Sequence, residues 1–215
     1  MRIGILGTGM VGKAIGKKLV ENGHRVCVGS RSADSGSAAA WSRATGGSAG
    51  TFAEAAGFAE LVINCTAGGH SLEALRAAGD ESLAGKLLVD VANPLEPSGE
   101  GRPLAVCNDD SLGEQVQRAF PGARVVKALN TVNCEVMVDP ERVPGDHVVF
   151  VCGDDAEAKA QATGLLGELG WPRARVVDLG PIRAARATEM YLPLWLALSG
   201  SLGTSQFNVE IKRRA

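Results

Sequence analysis

Along this chain, short runs of β-branched and apolar residues alternate with alanine-rich segments of helical period. RIGIL (2–6) predicts a strand, and MVGKAIGKKLVENG (10–23) a helix closed by Gly23. RVCVG (25–29) predicts a second strand, followed by a helix around 35–45 and a weak strand at 47–50. Thr51 and Glu54 have capping-box spacing and open a brief helix. LVINC (61–65) reads as a buried strand, residues 70–78 as a helix, and KLLVDVA (86–92) as another strand.

Residues 93–108 form a long loop with Pro94, Pro97 and Pro103, of a length that is often functional. Ser111 and Glu114 again have capping-box spacing, for a helix to about Phe120. Strands follow at 123–129, 147–153 and 174–180, with a helix at 154–170 between the last two. A long helix over 182–199, expected to bury a stripe of Leu192, Trp195, Leu196 and Leu198, and an edge strand at 207–211 complete the chain. Such alternation predicts an α/β, doubly wound Rossmann-type, mostly parallel sheet in a single domain over 1–215, with a C-terminal helical extension.

At 45% hydrophobic residues the chain can bury a core, and a net charge of −2 with no basic stripe argues against nucleic acid and anionic membrane as partners. Five scattered cysteines without a C-x-x-C predict neither a disulfide framework nor a metal site and suit a reducing compartment. Met1 leads directly into a strand, and the apolar stretch 190–202 is short and contains Pro193 and Gly200. A cytoplasmic protein without a leader or membrane span is expected.

Gly7-Thr8-Gly9-Met10-Val11-Gly12 is a G-x-G-x-x-G that leaves a strand and opens a helix. In that context the glycines permit a tight turn, close approach to a pyrophosphate and close helix–strand packing. The helix N-terminus offers its free N–H groups to the anion. About twenty residues on, where NAD-binding folds place an acid for the ribose, this chain has Gly29-Ser30-Arg31. The Arg31 fork matches a 2′-phosphate and Ser30 can donate to it, so NADP(H) is the expected cofactor.

Five stretches, GILGTGMVGKAIGKKL, CVGSR, VVKALNT, VCGDD and DLGPIRAAR, occur in an order and spacing that resembles the F420-dependent NADP oxidoreductases. They also resemble the oxidoreductase domain of the STEAP metalloreductases. The resemblance covers nearly the whole chain. It implies hydride transfer between NADP(H) and coenzyme F420 or a flavin, in a homodimer, with residues from about 181 onward completing the second-substrate pocket and dimer contact. It carries Gly7, Thr8, Gly9, Met10 and Val11 to the pyrophosphate and Ser30 and Arg31 to the 2′-phosphate. Asn64, Cys65 and Thr66, and Ala128, Leu129 and Asn130, go to the nicotinamide side. Asn130, Arg183 and Ala185 depart from the deazaflavin pattern.

Ligands of α/β sheets bind outside the carboxyl ends of the strands, which collects Gly7–Gly12, Ser30, Thr66, Asn93 and Asn130 on one edge. Hydride transfer needs orientation and exclusion of water rather than a nucleophile. His70, at the same edge, and Asn130 are the candidates for a direct role in catalysis. His24 and His147 read as structural, Cys65 and Cys152 as small core residues. Arg183 and Arg186 read equally as surface charges or as contacts to an anionic second substrate. The leading function is an NADPH-dependent oxidoreductase acting on F420 or a similar flavin-like acceptor. An imine, quinone or metal chelate (through flavin) as acceptor, and a non-catalytic NADP(H)-sensing module, are the alternatives.

Overall fold

The computed structural model describes residues 1–96 and 103–214. Pro97, expected in the long loop, lies outside the described residues. One eight-stranded sheet runs in the order β3-β2-β1-β4-β5-β6-β7-β8. Its strands are β1 (Arg2–Leu6), β2 (Arg25–Ser30), β3 (Ser48–Thr51), β4 (Leu61–Asn64), β5 (Leu87–Asp90), β6 (Arg124–Ala128), β7 (Val149–Cys152) and β8 (Val176–Asp178). The helices are α1 (Met10–Glu21), α2 (Gly36–Thr45), α3 (Phe52–Phe58), α4 (Ser71–Ala78), α5 (Asp80–Leu83), α6 (Leu112–Ala119), α7 (Cys134–Val138), α8 (Ala156–Glu168) and α9 (Ala185–Leu202).

Strand order reverses between β1 and β4, the switch point of a doubly wound sheet. The central strands are continuous apolar runs because helices cover both faces. One core cluster packs Ile3, Ile5, Val126 and Leu165 on one face, and another packs Val62, Leu88, Val116 and Phe120 on the other.

Four local outcomes differ from the sequence reading. β7 pairs antiparallel with β6, and β8 returns to parallel pairing with β7. The only α-helix between β6 and β7 is the single-turn α7, too short to carry the chain back across the sheet as a parallel crossover does. Residues 207–211 make no strand, only one bridge, His147 with Glu210, just before the short β7 begins.

In the second cap, Ser111 accepts from the Glu114 N–H, but the Glu114 carboxylate turns to Arg186 instead of completing a box. Thr51 and Glu54 form the full box. Along α9, Ala185, Thr188, Glu189 and Leu192 are buried at helical spacing, whereas Trp195, Leu196 and Leu198 are only half-buried. The first turns of α9 pack on α6, and further along the helix Trp195 instead stacks on Phe207 of the returning tail, centroids 5.4 Å apart.

Candidate active site

The turn from β1 into α1 is built for an anion. Gly7 has φ +113°, and a Cβ there would lie 2.7 Å from the Cys65 carbonyl oxygen. A Cβ on Gly12 would lie 2.2 Å from the Gly7 carbonyl oxygen, so Gly12 packs the turn rather than touching a ligand. Gly9, the N-cap, faces open space. The first turn of α1 has no acidic residue and no side-chain cap, leaving its N–H groups free for an anion.

Beside this turn opens a cavity of about 950 Å³. Of the residues expected from sequence, Gly7, Thr8, Gly9, Ser30, Arg31, Cys65, Thr66 and His70 line it. Arg31 is exposed and takes part in no ion pair among the described residues. The Ser30 hydroxyl donates to the Ser32 carbonyl oxygen at 2.5 Å, tightening the turn that presents Arg31. Phe52, Ala53, Ala74 and Ala77 add an apolar slot of a kind that suits a planar base. His70 and Glu73 stand together at its rim, 3.7 Å between Nδ1 and Oε2. Phe52 and the α4 alanines escaped the sequence reading because apolar residues within helices carry no chemical signature.

The other expected residues do not line the cavity. Met10 is 80% exposed at the head of α1, with Val11 beside it. Asn64, Ala128 and Asn130 are buried, so any effect of theirs on a ligand passes through neighbours. His70 lines the cavity with Ser30 and Arg31, while the buried Asn130 at the end of β6 approaches that edge only through Asn93, whose carbonyl backs onto Gly68 of the His70 turn.

Asn130 follows Leu129, whose φ of +62° is a left-handed conformation rare for a bulky residue. The strain, about 1–3 kcal/mol, aims Asn130 at Asn93. The Asn130 amide donates to Asn93 Oδ1 at 3.0 Å, and Asn93 donates to the Asn130 carbonyl oxygen at 2.7 Å.

Behind this edge lies a charge network that the sequence reading missed. The Lys127 side chain is fully buried. Its three protons go to Asp90 Oδ2 (2.8 Å), Glu189 Oε1 (2.7 Å) and the Ala92 carbonyl oxygen (2.5 Å). Burial pulls the Lys127 pKa down, but the two carboxylates outweigh it and hold it above the ordinary lysine value. Glu189 also accepts from the N–H groups of Leu112 and Gly113, so the N-terminus of α6 offsets the second carboxylate. The signal was present: a lysine inside VVKAL and an aspartate ending LLVD are ionisable groups in otherwise apolar strands.

Arg186 grips Glu114 with two bonds of 2.7 Å and is spoken for within the fold, whereas Arg183 is exposed. Cys65 reaches the cavity wall, but burial, with Asp90 nearby, pushes its thiol far up, and Cys152 is raised to about 12. Neither suits thiolate chemistry. His24 pairs with Glu168 at the opposite sheet edge, and His147 is buried edge-on against Trp171. Among the described residues no helix is long and apolar enough to cross a membrane.

A glycine turn without an acid, beside a cavity carrying a free arginine, is the mark of a dinucleotide-binding fold suited to a phosphorylated ribose. The sequence pattern of the family "NADP oxidoreductase coenzyme F420-dependent" matches residues 2–94. A solved structure from Arthrobacter sp. FB24, provisionally named an F420-dependent NADP-reductase, is 48% identical, with a TM-score of 0.93 over 98% of this chain and 99% of that one. Rattus norvegicus metalloreductase STEAP3 is 31% identical over 90% of this chain and 38% of its own length. The F420-dependent NADP reductase of Methanocaldococcus jannaschii is 31% identical over 55% of this chain and 53% of its own length. The chain thus spans from just over a third to about half the length of these two curated relatives. It belongs to the F420-dependent NADP oxidoreductase family, a family of NADP-dependent oxidoreductases.

Proposed function

We propose that this protein exchanges a hydride between NADP(H) and coenzyme F420 or a similar flavin-like acceptor. One observation carries the cofactor half: Arg31 stands free at the end of β2, in the cavity that the acid-free N-terminus of α1 opens onto. Bound there, NADP(H) would supply the hydride. Gly9 and the first turn of α1 would hold the pyrophosphate, and Arg31, on the turn that the Ser30 hydroxyl tightens, the 2′-phosphate. The slot of Phe52, Ala74 and Ala77 would take the adenine, with His70 at its rim. The clasped Asn130 would form the acceptor side, keeping the end of β6 rigid.

The names of the relatives support the F420 half. The test is a spectrophotometric assay with NADPH and oxidised F420, with NADH as control. Rapid bleaching of the deazaflavin with NADPH alone is expected. NADPH binding without bleaching would move the acceptor to a flavin, imine, quinone or metal chelate.

We also propose a homodimer formed through α9, whose Leu194 and Leu202 are 55% and 57% exposed. Sedimentation equilibrium should give twice the chain mass, and Leu194→Glu should lower it.

A further inference from the structure

The ion triad does not line the cavity, yet its hydrogen bonds reach the cavity wall and decide which way they point. Asp90 Oδ1 accepts from the Asn64 amide at 2.8 Å. An ionised carboxylate only accepts, so Asn64 turns its nitrogen toward Asp90 and its oxygen toward Thr66. Thr66 accordingly donates to Asn64 Oδ1 from its hydroxyl (2.7 Å) and its N–H (3.3 Å). Ser71 accepts from the Asn64 amide at 3.1 Å, which leaves its own proton for Thr66 Oγ1 at 2.9 Å.

Every proton in this ring is assigned, and the Thr66 hydroxyl proton points away from the cavity. Thr66 therefore offers a ligand only a methyl group and a lone pair. Such a wall favours a group that donates, a ribose hydroxyl or a carboxamide N–H. It also disfavours a phosphate oxygen, leaving the pyrophosphate to the glycine turn.

We propose that Lys127, held between Asp90 and Glu189, is a positioning residue of the cofactor cleft: through Asp90 and Asn64 it sets the hydrogen-bond polarity of Thr66. The inference rests on the NADP(H) reading of that cleft. The two arms of the triad have separate tasks. The Asp90 arm serves the cleft, while the Glu189 arm ties α9 to the N-terminus of α6.

The test compares NADPH dissociation constants and melting temperatures of the full chain and three variants. Asp90→Asn makes one head of residue 90 a donor, so it cannot accept from Asn64 and Lys127 together. NADPH binding should weaken about tenfold, the scale of one hydrogen bond to a charged group. Glu189→Gln breaks the other arm. It should lower the melting temperature but keep NADPH affinity within about twofold of wild type. Asn64→Ala keeps the ion triad paired, so it folds even where Asp90→Asn does not, and it lies off the cavity. It should weaken NADPH about threefold by releasing the Thr66 hydroxyl.

Weaker NADPH binding in Asp90→Asn and Asn64→Ala, with Glu189→Gln near wild type, supports the proposal; if Asp90→Asn does not fold, the Asn64→Ala and Glu189→Gln pair decides alone. Affinity that tracks the melting temperature across all three overturns it, as does wild-type affinity in Asp90→Asn or Asn64→Ala. Wild-type protein that fails to bind NADPH overturns the reading of the cleft and this inference with it.

Discussion

Asn93 and Asn130 clasp each other across the ends of β5 and β6, each donating one hydrogen bond to the other. The pair ties the start of the proline loop to the corner made by the left-handed Leu129. Asn130→Ala should leave Asn93 Oδ1 without a partner and reduce stability by about 1–3 kcal/mol, read from urea unfolding. Because Asn130 does not line the cavity, NADPH affinity should change little while turnover falls.

Arg31→Ala should weaken NADPH by about 1.5–3 kcal/mol, the scale of a hydrogen bond to a charged group. NADH, lacking the 2′-phosphate, should be affected far less. Titration of both cofactors checks this, and equal losses would contradict the 2′-phosphate assignment.

Gly12→Ala should force the glycine turn apart, because the new Cβ would lie 2.2 Å from the Gly7 carbonyl oxygen. Overpacking of this kind destabilises by about 1–3 kcal/mol. Cofactor binding should be lost in protein that still shows a cooperative melt.

His70 shares the cavity with Ser30 and Arg31 rather than with Asn130. His70→Ala should raise the KM for NADPH about 2–10-fold, the range of one modest hydrogen bond, and leave kcat nearly unchanged. A fall in kcat at saturating NADPH would instead put His70 at the reacting centre.

Two carboxylates at the start of α6 set an acid limit. The Arg118 hydrogen bond holds Asp110 down at about 2, against an ordinary 3.8, and the Arg186 clamp holds Glu114 below its ordinary 4.5. Folded values lower than unfolded ones contribute stability above the ordinary pKa, and it is lost as pH falls through the folded value. Stability should therefore fall from about pH 4.5 toward pH 2. The slope should be shallower in Asp110→Asn, by thermal melts across that range.

The glycine turn, Arg31, the order of strands and helices and the Thr51 cap were legible because each depends on neighbours close in sequence. Backbone geometry at Gly7 and the missing acid after β2 are local facts. The antiparallel β7 and the failed strand at 207–211 were not legible. Both depend on where a short connection leaves the chain relative to the sheet edge. Trp195 and Leu198 carried the pattern of a buried stripe, but burial required a surface opposite them, and α9 extends past it.

By itself, then, the sequence determined the α/β class, the glycine turn and an arginine where dinucleotide-binding folds often carry an acid. Those follow from short-range sterics and from the charge of one side chain. Only the tertiary structure decided which candidates line the cavity: His70 does, and the buried Asn130 does not. It alone revealed that Asp90, Lys127 and Glu189 meet. Their separations along the chain are long, and the attraction joining them acts only after the apolar strands around them have excluded water.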